Sequence, residues 1–251
     1  MRLQAMIAGG LAVLAAGCAG LAPRAGRDES DPARLALRQQ LSQSAQAAID
    51  RQDWARAQAD LERLLAEWPR SAEAHHRLAR VLRAQGRIDQ AEAAERRALE
   101  LDPEYLDALI GLGEIEITLG RFDAALTDLD TAIDLAPDRA AAHLAVGQAL
   151  EGLGRPDDAL AAYYRALELD PTSADALLRV GVLQLARRRP EQALTRLSQV
   201  LELDPDCVEA SYQRGRAYLA LGQPAAAVAD LRRAAGRLPR RADVFYHLAL
   251  A

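Results

Sequence analysis

The sequence predicts an all-α fold made of repeated helical hairpins, and three observations carry that prediction. Six prolines recur at intervals of 34 residues, namely Pro69, Pro103, Pro137, Pro171, Pro205 and Pro239. Three more, Pro156, Pro190 and Pro224, keep the same interval. The chain is 50% hydrophobic but only 4% aromatic, and Ala and Leu supply most of its apolar content, which favours helices that pack closely through small side chains.

The first residues have the features of an export signal. An apolar stretch covers residues 6–16 and is too short to span a bilayer, for which about 20 residues are needed. The segment Leu14-Ala15-Ala16-Gly17-Cys18 resembles the lipobox of bacterial lipoproteins, although Ala15 stands where that family prefers Leu. The resemblance implies a signal peptide over residues 1–17 and a lipid-modified Cys18. An ordinary secretory signal, with Cys18 incidental, is the alternative.

A lipidated Cys18 implies a protein held on a membrane surface without spanning it, since two acyl chains anchor stably. Ala19 stands where the inner-membrane retention signal of these lipoproteins would place Asp. The expected location is therefore the outer membrane, facing the periplasm. Residues 18–32 contain Gly, Pro, Arg and Asp without apolar periodicity and are predicted to form a flexible tether. Asp31-Pro32 is a typical helix start, so the helical domain is expected over residues 33–251.

The prolines divide this domain into repeats if each of the six is counted as position 32. The predicted repeats cover residues 38–71, 72–105, 106–139, 140–173, 174–207 and 208–241, with a partial seventh at 242–251. Position 20 is Ala in all six repeats and position 8 is Ala or Gly, as required where two helices approach closely. The turn at position 15 is Gly in four repeats, which favours a left-handed residue. Gln52 and Arg188 stand there in the other two, so those two turns are predicted to be strained.

This period and pattern resemble the tetratricopeptide repeat, a helix-turn-helix unit that buries its apolar face only by stacking on its neighbours. The resemblance implies a right-handed α-solenoid whose first helices line a concave groove that binds a protein or peptide partner. Because the seventh repeat is incomplete, the C-terminal edge is expected to pack against a partner or a second copy, unless the sequence is a fragment of a longer protein.

The groove positions of the family correspond to specific residues of this chain. Repeat two contributes His76 and an arginine strip, which consists of Arg77, Arg80 and Arg83 and follows one helical stripe. The other predicted partner-binding residues are Ile110, Glu114, Ile117, Leu144, Gln148, Leu178, Arg179, Val182, Tyr212, Arg216 and Tyr246. Their exposed aliphatic and tyrosine side chains predict a recognition surface. Alternatively, they cover seams between repeats and the arginine strip is a solvated face paired with carboxylates.

Composition and motifs argue against several functional classes. The formal net charge is −5, so the chain lacks the basic field that gathers nucleic acid. No nucleophile elbow, metal-ligand pair, phosphate loop or dinucleotide fingerprint can be read in the sequence. We therefore expect no enzyme activity, no cofactor and no metal. His75 and His76 are adjacent and point in different directions on a helix. Cys207 is expected to be a packing residue, with a redox centre as the alternative.

The sequence therefore predicts a non-catalytic scaffold, lipid-anchored in the bacterial envelope, that binds a protein segment in its groove while an envelope complex assembles. It resembles the tetratricopeptide lipoproteins of type IV pilus biogenesis and of related secretion and polysaccharide-export systems. Two alternatives stay open. One is a repeat region of a longer catalytic or regulatory protein, and the other is a soluble cytosolic adaptor.

Overall fold

The computed structural model describes residues 31–251, and within them it contains helices and no strand. The chain divides into two units after Gln40. The helices are α1 (Pro32–Asp50), α2 (Trp54–Glu67), α3 (Ala72–Ala84), α4 (Ile88–Leu101), α5 (Leu106–Thr118), α6 (Phe122–Leu135), α7 (Ala140–Gly152), α8 (Pro156–Leu169), α9 (Ala174–Ala186), α10 (Pro190–Leu203), α11 (Val208–Ala220), α12 (Pro224–Arg237) and α13 (Ala242–Leu250). The predicted fold class, an all-α solenoid of hairpin repeats, is confirmed.

Local sequence signals set the helix ends. The second helices α8, α10 and α12 each begin with a proline in the first turn, where its missing N–H breaks no helical hydrogen bond. Ser71 and Ser173 cap first helices, since their hydroxyl oxygens accept hydrogen bonds from Ala74 N and Ala176 N. At the start of α1, Asp31 Oδ1 accepts a hydrogen bond from Ala33 N at 3.0 Å. The N-termini of these helices therefore follow from cap and proline chemistry.

In each hairpin, a small residue at position 8 of the first helix faces a large residue at position 24 of the second helix. A Cβ placed on Gly147 would lie 2.4 Å from the ring of Tyr163, and one on Gly113 would lie 2.7 Å from Leu129. Both distances are too short for real contacts, so the two helices touch only because position 8 lacks a side chain in these repeats. The alanines at position 20 are completely buried in every complete repeat. The predicted close approach of the two helices is confirmed.

Each hairpin turn contains a residue in the left-handed conformation at position 15, as predicted. Gly86, Gly120, Gly154 and Gly222 have φ between 69° and 76°. The two residues that replace glycine, Gln52 and Arg188, both have φ of 57°. A side chain in this region of backbone conformation is strained by contact of its Cβ with the following carbonyl.

The repeats of residues 41–251 stack so that each second helix packs against the first helix of the next repeat. Apolar clusters cross these seams, as where Leu109, Leu129 and Ala142 join α5, α6 and α7. Consecutive first helices also contact one another, as α3 and α5 or α5 and α7 do, whereas no pair of second helices in residues 41–251 packs to that extent. The first helices therefore line the concave side.

The last helix, α13, is packed on one side only within the described residues. Val244 is fully buried against α11 and α12, whereas Phe245, Tyr246 and Leu250 are exposed. The predictions for the signal peptide, for Cys18 and for most of the tether lie outside residues 31–251 and stay predictions.

We predict that Gln52→Gly and Arg188→Gly each stabilise the protein, by about 0.5–1 kcal/mol, because glycine removes the left-handed strain at a turn. Urea denaturation of the single variants measures the change in the free energy of unfolding. Gly120→Ala is the matched reverse change and should destabilise by a similar amount. A loss of stability in both glycine variants would contradict the assignment of strain.

Candidate functional site

The first helices bring the predicted groove residues onto one surface, but to different depths. Twelve of the fifteen are exposed or half-buried, namely Arg77, Arg80, Arg83, Glu114, Ile117, Leu144, Gln148, Leu178, Arg179, Val182, Arg216 and Tyr246. The remaining three, His76, Ile110 and Tyr212, are buried. All three occupy position 5, where Ser42, Leu144 and Leu178 of other repeats are half-buried.

The expectation that Ile110 and Tyr212 are exposed in an apolar track is therefore wrong. Ile110 is 6% exposed and belongs to the cluster that joins α5, α6 and α7. Tyr212 is 2% exposed and packs on Val244 of α13. The alternative interpretation, that some of these side chains cover seams, holds for both. The accessible apolar surface is reduced to half-buried residues such as Leu178 and Val182, together with the exposed Tyr246.

The three residues of the arginine strip have different environments. Arg77 donates to Ser42 Oγ at 2.8 Å and forms an ion pair with Glu73 at 2.6 Å on its own helix. Arg83 pairs with Glu114 on α5, which ties repeat two to repeat three. Arg80 is exposed and has neither an ion-pair nor a hydrogen-bond partner within residues 31–251. Arg80 is therefore the member of the strip that is available to a ligand.

Two pockets meet at Arg80 and Arg83. One pocket has a volume of about 370 Å³ and is mainly polar, since Asp107, Glu114 and Arg139 line it together with the two arginines. Its lining also includes His76, Ile110, Gly111 and Ala141. The other pocket, of about 250 Å³, is lined by Ile49, Trp54, Val81 and Ala84 beside the same two arginines. The predicted groove residues did not include Ile49 and Trp54, because none was assigned in repeat one.

A buried polar pair, His76–Glu95, lies at the floor of the polar pocket. Nδ1 of His76 is 3.1 Å and 3.0 Å from the two carboxylate oxygens of Glu95, and Glu95 is only 1% exposed. The ring edge of Tyr105 packs against His76 with centroids 5.5 Å apart. A Cβ on Gly111 would lie 2.4 Å from Glu95 Oε1, so this glycine makes room for the carboxylate. Burial raises the pKa of Glu95 above its usual range.

The adjacent histidines His75 and His76 lie in different environments. His76 lies in the floor of the groove, largely buried, whereas His75 is half-buried and contacts the carbonyl of Pro69 through Nε2 at 3.0 Å. His143 makes the same contact with Pro137 at 2.9 Å. The sequence did contain a signal for the buried pair, since position 24 is Leu or Tyr in every repeat except the second, where it is Glu95.

Tyr212 has a structural role near the C-terminal end of the groove. Its hydroxyl donates to Asp243 Oδ2 at 2.7 Å, and the guanidinium of Arg241 lies 4.6 Å from the centroid of its ring. Arg241 also forms ion pairs with Glu209 and Asp243. Burial, with the Asp243 hydrogen bond second, raises the pKa of Tyr212 to about 12. Tyr212 therefore stays protonated and joins α11 to α13.

No group of three or more His, Cys, Asp or Glu side chains in residues 31–251 is placed to hold a metal ion. Cys207 is half-buried at the start of α11, beside a cluster that contains Leu177 and Val200. In the same part of the chain, every helix is too short or too polar to cross a bilayer.

Comparisons with known proteins agree with this architecture. Two sequence profiles described as tetratricopeptide repeat match the chain, one at residues 42–106 and 110–174 and the other at residues 150–217 and 184–251. No curated protein matches the sequence.

Among solved structures, the chain is similar to pilF of Pseudomonas aeruginosa, with 19% identity and a TM-score of 0.76 over 87% of this chain and 100% of pilF. It is also similar to YrrB, a repeat protein with an unusual peptide-binding site, with 22% identity and a TM-score of 0.54 over 74% of this chain and 96% of YrrB. TTC0263, a thermophilic repeat protein of Thermus thermophilus, is 25% identical, with a TM-score of 0.58 over 71% of this chain and 97% of that protein. At these identities the likeness concerns the fold.

We predict opposite effects on stability for breaking and for replacing the His76–Glu95 pair. Glu95→Ala should destabilise the protein by about 1–3 kcal/mol, because it leaves a buried ring nitrogen without its partner. The double variant His76→Ile with Glu95→Leu copies the residues of repeat three and should be neutral or stabilising, since apolar packing commonly replaces a buried polar pair without loss. Urea denaturation measures both changes. A double variant as unstable as Glu95→Ala would contradict this interpretation.

Proposed function

This chain belongs to the tetratricopeptide repeat family, and from that premise we propose that it is a lipid-anchored scaffold of the bacterial envelope that binds a protein segment in its concave groove. The fold supports a role in protein interaction, which is the general property of these repeats. The partner, the anchor and the location are the parts of the proposal that require experiment.

The observation that carries the groove proposal is the difference between the two helices of each repeat. Second helices are buried through alanine at position 20 in every repeat and through Leu or Tyr at position 24 in all but the second, whereas the groove-facing positions of first helices vary from Arg80 to Gln148 and Val182. Several of these variable side chains are accessible. An extended segment that lies across consecutive first helices contacts many of them at once. YrrB, which has this fold and an unusual peptide-binding site, supports the proposal that the partner is a peptide segment.

The envelope proposal is supported by the N-terminal sequence. Leu14 to Cys18 resembles a lipobox, and residues 18–32 have the composition of a tether between lipid and folded domain. A tether of this length would let the groove reach a partner near the membrane surface. The similarity in fold to pilF supports assembly of a pilus or a related secretion or export complex as the process served.

We predict that Cys18→Ser moves the native protein from the detergent phase to the aqueous phase in Triton X-114 partitioning. The physical reason is that the serine variant cannot carry the thioether-linked acyl chains that hold the protein to the membrane. Gly17→Ala, which keeps a small residue before the cysteine, is the matched control and should still partition into detergent. Equal partitioning of the wild type and Cys18→Ser would contradict the lipid anchor and leave the groove proposal intact.

A second prediction concerns the groove. The triple variant Leu178→Ala, Arg179→Ala and Val182→Ala removes accessible side chains from the inner face of α9. We expect it to reduce the partner recovered by pull-down from membranes by about tenfold, because a few anchoring side chains carry most of the binding free energy.

The matched control is Gln192→Ala, Thr195→Ala and Leu203→Ala on the exposed face of α10, the second helix of the same repeat. It should recover the partner as well as the wild type does. Thermal unfolding establishes that both triple variants are folded. Loss of the partner in the α10 variant with full recovery in the α9 variant would place the interaction on the outer face and contradict the groove proposal.

A further inference from the structure

Repeat two departs from the packing pattern of the other repeats at one place, beneath the polar pocket. Position 24 holds Glu95, where the other repeats have Leu or Tyr, and position 5 holds His76, where the next repeat has Ile110. Burying a carboxylate opposes folding unless the group is fully hydrogen-bonded. Gly111, which leaves room for Glu95, shows that neighbouring α5 accommodates the pair. The scaffold does not require this pair, because the equivalent contact in repeat three is apolar.

The pair leaves one polar atom of His76 available to a ligand. Both oxygens of Glu95 lie at hydrogen-bond distance from Nδ1, so we place a proton on Nδ1. We take the ring as neutral, which leaves the lone pair on Nε2. Within residues 31–251, Nε2 of His76 has no hydrogen-bond partner, although the residue is 92% buried and lines the polar pocket. A carboxylate that fixes a histidine in this way orients the ring and presents Nε2 as an acceptor.

Arg80 lies one helical turn beyond His76 on the same face of α3. The other two arginines of the polar pocket are neutralised, Arg83 by Glu114 and Arg139 by Asp107 at 2.6 Å. Arg80 has no such partner in residues 31–251 and carries a positive charge at the junction of the two pockets. The pocket therefore offers one acceptor and one uncompensated cation.

The second pocket begins on the other side of Arg80 and differs in chemistry. Ile49, Trp54 and Val81 line it, so it suits an apolar side chain that leaves water on binding. Both pockets include Arg80 in their lining. A ligand that fills both must therefore carry its apolar group close to its anionic group.

We propose that repeats one to three bind a peptide segment in which a glutamate or aspartate is adjacent to a bulky apolar residue. The carboxylate pairs with Arg80, the peptide N–H donates to Nε2 of His76, and the apolar side chain enters the pocket of Ile49 and Trp54. This inference rests on the proposed function, since it specifies what one end of the groove recognises.

Charge favours a carboxylate over a phosphate in this pocket. Asp107 and Glu114 line it with Arg83 and Arg139, and each carboxylate is already paired with one of those arginines. A monoanion matches the single remaining charge of Arg80, whereas a dianionic phosphate leaves one negative charge near two carboxylates without compensation.

The test uses the full chain in detergent micelles and five fluorescein-labelled, end-capped peptides measured by fluorescence anisotropy. Two contain Phe-Glu or Glu-Phe between glycines, which covers both chain directions. The third replaces Glu by Gln, the fourth replaces Phe by Ala and the fifth replaces Glu by phosphoserine, each in the better-binding order. We expect the Gln and Ala replacements each to raise Kd by about tenfold, as loss of a charge-assisted hydrogen bond or of a buried aromatic ring does.

Three protein variants assign the binding to this pocket. Arg80→Gln should raise Kd for the Glu peptide about tenfold and leave Kd for the Gln peptide unchanged, since only the former carries the paired charge. His76→Ile with Glu95→Leu should also weaken binding, by about fivefold, because the acceptor is lost. Arg97→Gln, on the exposed side of α4 and paired with Glu100, should change nothing.

Several outcomes overturn the inference. These are equal Kd values for the Glu and Gln peptides, no binding of either peptide order, an unchanged Kd in the His76 and Glu95 double variant, and a phosphoserine peptide that binds more than about tenfold tighter than the Glu peptide. If the α9 triple variant still loses the membrane partner while the peptides fail, this inference is wrong and the proposed function stands. If the α9 variant retains its partner while the peptides behave as expected, the prediction for α9 is wrong and the inference for repeats one to three stands.

Discussion

The structure depends on the close contact between the two helices of each hairpin. A small residue at position 8 leaves room for the large side chain at position 24. The ring of Tyr163, for example, covers Gly147. The distance between the helix axes follows from this contact, and the position of the next repeat follows from that distance. A methyl group added at Gly147 would have to displace a fully buried aromatic ring, which close-packed interiors do not accommodate without strain.

This constraint separates the residues that maintain the fold from those that can vary. The buried alanines of position 20 satisfy the requirements of packing in every complete repeat, and glycine satisfies the left-handed conformation at four of the six turns. The groove-facing positions of the first helices contribute less to packing, and there the charge and size of the side chains differ between repeats. Repeat two is the exception, because Glu95 places a carboxylate inside the hairpin contact itself. This buried carboxylate lies beneath the accessible Arg80. We infer that the two together give repeat two a specific ligand preference.

The sequence predicted the regular part of the fold well, for a physical reason. Proline, glycine and alanine act through the backbone and through steric contact, and both effects depend on local position in the repeat. The left-handed turns at Gln52 and Arg188 could therefore be predicted from spacing alone. The depth of position 5 could not, because the burial of Ile110 and Tyr212 depends on the neighbouring first helix. The pairing of Arg83 with Glu114 links residues of different repeats, and a helical wheel of one repeat does not contain that information.

We propose that recognition takes place on the first helices, while the second helices maintain the stack. Hydrogen–deuterium exchange of the native chain, with and without the partner recovered from membranes, distinguishes the two sets of helices. We expect the partner to slow exchange in consecutive first helices, including α3 and α5, and to leave exchange in α4 and α6 unchanged. Slower exchange confined to the second helices, or to the exposed face of α13, would contradict it.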